Sequence, residues 1–263
     1  MKHQFKNIIK NGTCLLALAL VFLLSSCKYE DFVPGTYPDA LVYLPASVNG
    51  VYNVNTIAPT GVRYVVDLTA KKLNIPLGAA RSGLTRNGEV TVNLTPNADT
   101  INKLIANTKL TGTDLLPSAN YTLPTSATIE SSKDAVSFNL SLDLDYLRNN
   151  ATKKFAVAVS IANSSALTVN PTIGTAVIVI DAKILKPAAN FTSKVETKKV
   201  TFTNISTYGL TYSWDFGNGS TPSTDANPIY NYPAAGTYTV KLTTTGITGS
   251  LDANVKTATL TVL

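Results

Sequence analysis

Apolar and polar residues alternate along most of the chain beyond residue 41, which is the period of a β-strand with one buried face. Alternating runs are centred on Val92, Phe138 and Val157. The segment 175–180 is almost wholly apolar, which predicts a strand covered on both faces. Alternation stops at Lys186-Pro187 and resumes a few residues later. The pattern therefore predicts an all-β protein with two β-sandwich domains in tandem, at residues 41–185 and 187–263.

Two short segments depart from this alternation. Ile101, Leu104 and Ile105 have helical spacing. A short helix is therefore expected over 99–107, covering one edge of a sandwich, with Asp99 or Thr100 as its N-cap. Residues 99–101 (Asp-Thr-Ile) equally fit a short bacterial O-glycosylation motif. A second helical turn is expected at 143–148.

The first 26 residues have the composition of an export signal. Three lysines precede a run of 12 residues at 13–24 that is apolar except for Thr13. This run is shorter than the roughly 20 residues that span a bilayer, but it fits the apolar part of a signal peptide. Leu24-Ser25-Ser26-Cys27 resembles the bacterial lipobox. We therefore predict a lipoprotein signal peptide at 1–26 and lipid attachment (palmitate) at Cys27, the alternative being an uncleaved membrane anchor.

Residues 27–40 are predicted to be a lipidated tether. They are charged at first and then contain Pro34-Gly35 and Pro38. Glu30 and Asp31, just past the cysteine, resemble the surface-export signal of Bacteroidota lipoproteins. This resemblance implies the outer face of the outer membrane, with contact to the membrane through Cys27. The alternative is an ordinary solvated linker.

Composition narrows the possible chemistry. The single histidine is His3, and Cys14 and Cys27 are the two cysteines. Once residues 1–26 are removed, Ser-His-Asp and Cys-His catalysis, His or Cys zinc sites and internal disulfides are all excluded. The same removal leaves 19 basic against 16 acidic residues. The basic residues are scattered, so no nucleic-acid partner is indicated, and no cofactor is expected.

The C-terminal segment carries a recognisable motif. Residues 187–263 resemble a PKD (polycystic kidney disease) domain, which implies an immunoglobulin-like sandwich. The resemblance rests on 212–219 (YSWDFGNG), 227–232 (NPIYNY) and 235–242 (AGTYTVKL), and it departs from the family at Asn218 and Tyr230. Trp214 should lie in the core, with Tyr212 and Phe216 on the same face of its strand.

The residues after Trp214 in this motif should form a turn. Asp215 is expected to point outward and accept hydrogen bonds from the turn, and Asn218-Gly219 to form a two-residue hairpin. Alternatively, Asp215 and Asn218 would bind calcium, which requires six to eight oxygen ligands.

The N-terminal segment, 41–185, resembles a Bacteroidota lipoprotein domain known as domain of unknown function 1735. The segments that carry the resemblance are 40–45 (ALVYLP), 73–77 (LNIPL), 115–117, 121–124, 128–129, 137–138, 155–157 and 177–180. The resemblance implies a β-sandwich on surface lipoproteins of glycan-acquisition loci. That family has no defined catalytic motif, so it assigns no functional residues here.

These observations favour a non-catalytic surface lipoprotein that binds glycan or assists a glycan-acquisition system. Partners would be a polysaccharide or an outer-membrane transporter complex, with ligand contacts in 41–185. Tyrosines outside the PKD motif, including Tyr52, Tyr64 and Tyr146, are candidate contact residues; the alternative for each is an ordinary strand or rim residue. One alternative is a spacer or adhesion scaffold that contacts a partner protein. A glycosidase ranks third, because it needs two carboxylates roughly 5–9 Å apart and no motif pairs them.

Overall fold

The computed structural model describes residues 39–56, 61–83 and 86–263. The predicted signal peptide, Cys27 and the tether as far as residue 38 lie outside these residues. Residues 39–263 form one compact unit. Within the described ranges, no helix is long and apolar enough to cross a membrane.

The N-terminal domain is built almost entirely of strands. They are β1 Leu41–Tyr43, β2 Val51–Asn53, β3 Val65–Asp67, β4 Lys72–Arg81, β5 Val90–Pro96, β6 Thr113–Leu115, β7 Tyr121–Thr122, β8 Ser126–Ile129, β9 Ala135–Asp143, β10 Lys154–Ser164, β11 Thr168–Val169 and β12 Thr175–Asp181. The helices are α1 Ala98–Ala106 and α2 Leu144–Asn149, with 3-10 turns at Pro45–Ser47, Ser118–Asn120 and Ala182–Leu185.

These strands form two sheets that enclose an aliphatic core. The first sheet has the order β11-β1-β4-β9-β7, with β3 also paired to β4. The second has the order β2-β12-β10-β5-β8, with β6 also paired to β10. Ile75 and Leu140 from the first sheet and Val157 and Ile178 from the second belong to one buried cluster. The predicted sandwich is therefore present, and the alternating residues supply its core.

Helix α1 lies over the outer face of the second sheet. Ile101 is buried against Ala156, Ala158 and Val179, which alternate with core residues on β10 and β12. The prediction that 175–180 is covered on both faces is thus confirmed. The expectation of an edge helix was wrong, because Ile101 packs on the middle strands of the sheet.

The predicted cap of α1 was also wrong. The Oδ1 atom of Asn97 accepts the Thr100 N–H at 3.0 Å, so the helix begins one residue earlier than its apolar spacing indicated. Asp99 then lies in the first turn, where a negative charge favours the helix dipole. The second predicted turn is confirmed as α2, whose N-cap Asp143 accepts the Tyr146 N–H at 2.8 Å.

The C-terminal domain is a smaller sandwich of two three-stranded sheets, β13-β14-β16 and β15-β17-β18. Its strands are β13 Phe191–Glu196, β14 Lys199–Asn204, β15 Thr211–Asp215, β16 Ile229–Asn231, β17 Gly236–Gly246 and β18 Gly249–Val262. Trp214 is fully buried between the sheets. Its ring centroid lies 5.1 Å from that of Phe191 and 5.3 Å from that of Phe202. The predicted core position of Trp214 is confirmed.

The turn after β15 differs from the predicted hairpin. Asp215 accepts the Gly217 N–H at 3.0 Å, as expected. However, the positive φ angles belong to Gly217 and Gly219, not to Asn218. Trp214 exchanges backbone hydrogen bonds with Ser223, so the chain reverses through a longer loop. A Cβ atom on Gly217 would clash with the Thr239 carbonyl, which explains why this loop requires glycine there.

Asn218 has a packing role in this loop. Its Nδ2 donates to the Tyr230 hydroxyl at 2.7 Å, and its Oδ1 accepts the Ser220 N–H at 3.2 Å. In the part of the chain that the structure describes, no group of three or more His, Cys, Asp or Glu side chains is placed to hold a metal ion.

The two domains meet at the tip of the β17–β18 hairpin. Ile247 packs against the N-terminal core. Arg148 Nε donates to Asp252 Oδ2 at 2.6 Å and Arg148 Nη2 to Asp252 Oδ1 at 2.9 Å. Lys186 also pairs with Asp252, whose side chain is only 2% exposed. We call Arg148, Lys186 and Asp252 the junction triad, and it fixes the hairpin tip against the N-terminal domain.

Candidate functional site

A groove of about 590 Å³ lies between the two domains. Its volume falls in the range of small-molecule binding sites. Its floor is the part of the second sheet's outer face that α1 leaves open. Its walls come from Val62 and Tyr64, the turn at 109–111 and the loop at 208–210.

Strand register explains the chemistry of the floor. Lys154 on β10 lies opposite Asp181 on β12 and Thr113 on β6. One step along the strands, Asn53 on β2 lies opposite Val179. Because side chains alternate across a strand, these residues share one face and line the groove together. We call Thr113, Lys154 and Asp181 the polar row of the floor; beside it lie the polar Asn53 and the apolar Val179.

Asn55 extends the polar row. Its Nδ2 donates to the Asp181 carbonyl at 2.9 Å, and its Oδ1 accepts the Asp181 N–H at 2.7 Å. The Asp181 carboxylate in turn accepts the Lys183 N–H at 3.1 Å. These bonds fix the end of β12 at the floor of the groove.

The C-terminal domain supplies one wall through Tyr208, Gly209 and Leu210. Tyr208 has a φ of 56°, and a Cβ atom on Gly209 would lie 2.9 Å from the Tyr212 ring. The Leu210 N–H donates to the Thr245 carbonyl at 2.8 Å. The loop is thus packed closely against its own domain while its outer side chains face the groove.

This wall and the opposite one expose apolar side chains. Leu210 is 65% exposed, Val62 57% and Tyr208 45%. Scattered exposed apolar residues are ordinary, but several in one concave surface mark a binding site. Tyr64, on the same side as Val62, is half-buried, and burial raises the pKa of its hydroxyl. That hydroxyl remains a neutral hydrogen-bonding group.

The structure separates the three tyrosines predicted as ligand contacts. Tyr64 lines the groove. Tyr52 lines a second concavity of about 440 Å³, where the Arg63 guanidinium lies 4.6 Å from its ring centroid. Tyr146 packs on Phe155, with ring centroids 5.6 Å apart. Only Tyr64 therefore joins the groove.

Sequence reasoning missed Tyr208 and Leu210. Both precede the PKD motif, in a turn where exposed polar residues are the usual choice. Two large apolar residues flanking Gly209 were the signal that could have identified them.

The groove has few groups for acid–base chemistry. Among its described lining residues, Asp181 is the one carboxylate. Glycoside hydrolysis by the common mechanisms requires a second carboxylate roughly 5–9 Å away. The arrangement suits binding through apolar contact and hydrogen bonds.

Two family models match the chain. The model described as the PKD domain matches residues 184–262, and a model described as an N-terminal domain matches residues 37–168.

The pre-pro-metalloprotease PrtV of Vibrio cholerae is 42% identical over 77 residues, which are 28% of this chain. The chain spans only 8% of that protein's length. The crystal structure of the PKD1 domain of PrtV is 41% identical, with a TM-score of 0.27, and the match covers 29% of this chain and 96% of that domain.

Two crystal structures from Bacteroides ovatus are similar over most of the chain. A candidate carbohydrate-binding protein is 14% identical, covers 84% of this chain and 70% of its own, and has a TM-score of 0.40. A multidomain protein that includes domain of unknown function 1735 is 13% identical, covers 77% of this chain and 60% of its own, and has a TM-score of 0.39. The two family models, by themselves, show that residues 184–262 are a PKD domain and that the chain belongs to the family whose N-terminal domain occupies residues 37–168.

Proposed function

We propose that this protein is a non-catalytic lipoprotein of the cell surface that binds glycan in the groove between its domains. It would act as an accessory to a glycan-acquisition system. The observation that carries the proposal is the meeting of Tyr64 and Tyr208 with the polar row of Asn55, Lys154 and Asp181 in one groove. Aromatic faces pack against the C–H faces of sugar rings, while amide and charged groups hydrogen-bond to sugar hydroxyls.

The groove extends the earlier expectation that ligand contacts lie in 41–185. Most of its lining comes from that domain, but Tyr208, Gly209, Leu210 and Ile247 come from the PKD domain. Both domains would therefore take part in binding. Affinity at such an open surface is expected in the millimolar to micromolar range, about −4 to −8 kcal/mol.

The binding test uses the full chain, solubilised in detergent, against an array of host and plant polysaccharides. Leu210→Ala should reduce retention, while Leu251→Ala should not. Both leucines are exposed residues of the C-terminal domain, but only Leu210 lines the groove. Retention that both variants keep would place the site elsewhere, and release of oligosaccharide would contradict the non-catalytic proposal.

The anchor is tested separately. Cys27→Ser should leave the protein unacylated and outside the membrane fraction, because Cys27 is the proposed acylation site. The wild-type chain should sediment with membranes, and a protease added to intact cells should cleave it. A Cys27→Ser variant that still sediments with membranes would contradict the lipoprotein proposal.

A spacer or scaffold that contacts a partner protein is the second candidate function. The junction triad favours it, because Asp252 ties the PKD domain to Arg148 of the N-terminal domain and to Lys186 at the boundary between the domains, which limits bending between them. If no glycan on the array is retained, the spacer function is the better account.

A further inference from the structure

The lining of the groove carries more positive than negative charge. Lys109, Lys154 and Asp181 are its charged lining residues among those described, which gives two positive charges against one negative. Both lysines are exposed. Within residues 39–56, 61–83 and 86–263, neither ammonium group forms a hydrogen bond or an ion pair, whereas the Asp181 carboxylate accepts the Lys183 N–H. The groove therefore has positive charge available for a ligand.

The nearby carboxylate on β6 does not change this balance. Asp114 lies on the opposite face of β6 from Thr113, and its Oδ2 atom pairs with Lys153 Nζ at 3.0 Å. Lys153 and Asp114 thus neutralise each other outside the groove. Lys154, the next residue, projects from the face that lines the groove.

The surroundings of the lysines strengthen their attraction for an anion. Tyr64, Tyr208 and Leu210 line the same groove, and a ligand seated against these walls would exclude water from the ammonium groups, so that electrostatic attraction in the complex would exceed its value in bulk water. Lys109 follows α1, and Lys154 begins β10. The two charges therefore come from separate, well-anchored segments.

We propose that the groove selects polysaccharides that carry anionic groups, carboxylate or sulfate, and that Lys109 and Lys154 contact those groups. This inference rests on the proposed glycan-binding function. The apolar walls contact the sugar rings, and the ammonium groups donate charge-assisted hydrogen bonds to the anionic substituents.

The test measures binding of the full chain in detergent to two matched pairs of polymers. Polygalacturonate is compared with its carboxyl-reduced form, and dextran sulfate with unmodified dextran. Retention should be about tenfold stronger on the anionic member of at least one pair. Which pair responds distinguishes carboxylate from sulfate as the recognised group.

Variants then test whether the two lysines cause the stronger retention on the anionic polymer. The double variant Lys109→Ala/Lys154→Ala should lose about tenfold or more in affinity for the anionic polymer, while Lys109→Arg/Lys154→Arg should retain most of it. Lys256→Ala is the matched control, because Lys256 is an exposed lysine outside the groove. Equal loss in the control would show non-specific attraction to the basic surface and overturn the proposal.

The remaining outcomes separate the two proposals. Equal retention on the anionic and neutral polymers, with loss in Leu210→Ala, would overturn the preference for anionic groups and leave glycan binding intact. An alanine double variant that binds as well as the wild type would also overturn it. Absence of retention on every polymer, neutral or anionic, would contradict glycan binding and this inference together.

Discussion

The cores of the two domains differ in their aromatic content. The PKD domain contains a continuous series of aromatic ring contacts, with neighbouring centroids 4.0 to 6.0 Å apart. The series comprises Phe191, Phe202, Trp214, Phe216, Tyr230, Tyr232 and Tyr238. The N-terminal core is mainly aliphatic. Tyr52 and Tyr64 lie at its periphery, where each lines a concavity.

The residues that identify the PKD fold are therefore not the residues that line the groove. The PKD motif residues serve packing and turn geometry: Tyr232, for example, donates its hydroxyl to the Phe216 carbonyl at 3.0 Å. Burial, with the neighbouring Tyr230 and Tyr238, raises the pKa of that hydroxyl to about 12. The groove draws instead on residues outside the motif, so the most recognisable part of the sequence says least about the ligand.

The largest loss of stability is expected when Trp214 is replaced. Trp214→Ala should cost about 3–5 kcal/mol of unfolding free energy, because the side chain is fully buried and its Nε1 donates to the Asp225 carbonyl at 2.9 Å. Tyr208→Ala, at an aromatic residue that faces the groove, should change stability by no more than about 0.5 kcal/mol. Urea unfolding of both variants measures the contrast. Comparable losses in the two would show that Tyr208 is also a packing residue.

The buried core could be predicted from the sequence, whereas the groove could not. Period-two spacing identified the buried face that holds Trp214 and Phe216, since alternation in a strand reports burial directly. The cap at Asn97 was missed because several polar residues precede α1 and any of them could accept the hydrogen bond. The groove could not be predicted, because Val62, Lys109 and Leu210 are distant in sequence and only the domain arrangement brings them together.

A second, smaller effect is expected at the junction of the domains. Burial raises the pKa of Asp252, but hydrogen bonds from Arg148, Lys186 and Thr248 together more than offset burial and hold that pKa at about 2. The folded state therefore favours the carboxylate, which contributes about 2 kcal/mol of stability above pH 4. This contribution is lost as the pH falls from about 4 to about 2.

Asp252→Asn tests that contribution through the pH dependence of unfolding. Between pH 4 and 2 the wild type should lose about 2 kcal/mol more than the variant. Other paired carboxylates that share no partner with Asp252, such as Asp134, whose pKa is lowered by its hydrogen bond from Arg86, should titrate alike in both proteins and cancel in the difference. Parallel pH profiles would mean that the Asp252 contacts add nothing to stability.

Tyrosine hydroxyls provide a third contrast. Tyr232→Phe should cost about 1 kcal/mol, because the buried Phe216 carbonyl loses its donor. Tyr64→Phe should leave stability nearly unchanged while lowering glycan retention. Thermal unfolding and retention are measured on both variants. A Tyr64→Phe variant that binds normally would limit the role of Tyr64 to ring contact.

The smallest expected effect on stability is at Leu210. Leu210→Ala should change unfolding free energy by less than about 0.5 kcal/mol, since the side chain is 65% exposed. Leu251→Ala, at 53% exposure, should behave alike in unfolding. A markedly destabilised Leu210→Ala variant would mean that this leucine supports the domain junction, and its binding defect could not then be assigned to ligand contact.

Hydrogen exchange tests the central claim most directly. The full chain is compared with and without the polysaccharide that it retains most strongly. We predict slower amide exchange in residues 51–56, 109–113 and 208–210, which line the groove from both domains, and no release of oligosaccharide. Protection confined to surfaces away from these segments, or cleavage of the polysaccharide, would contradict non-catalytic glycan binding in the groove.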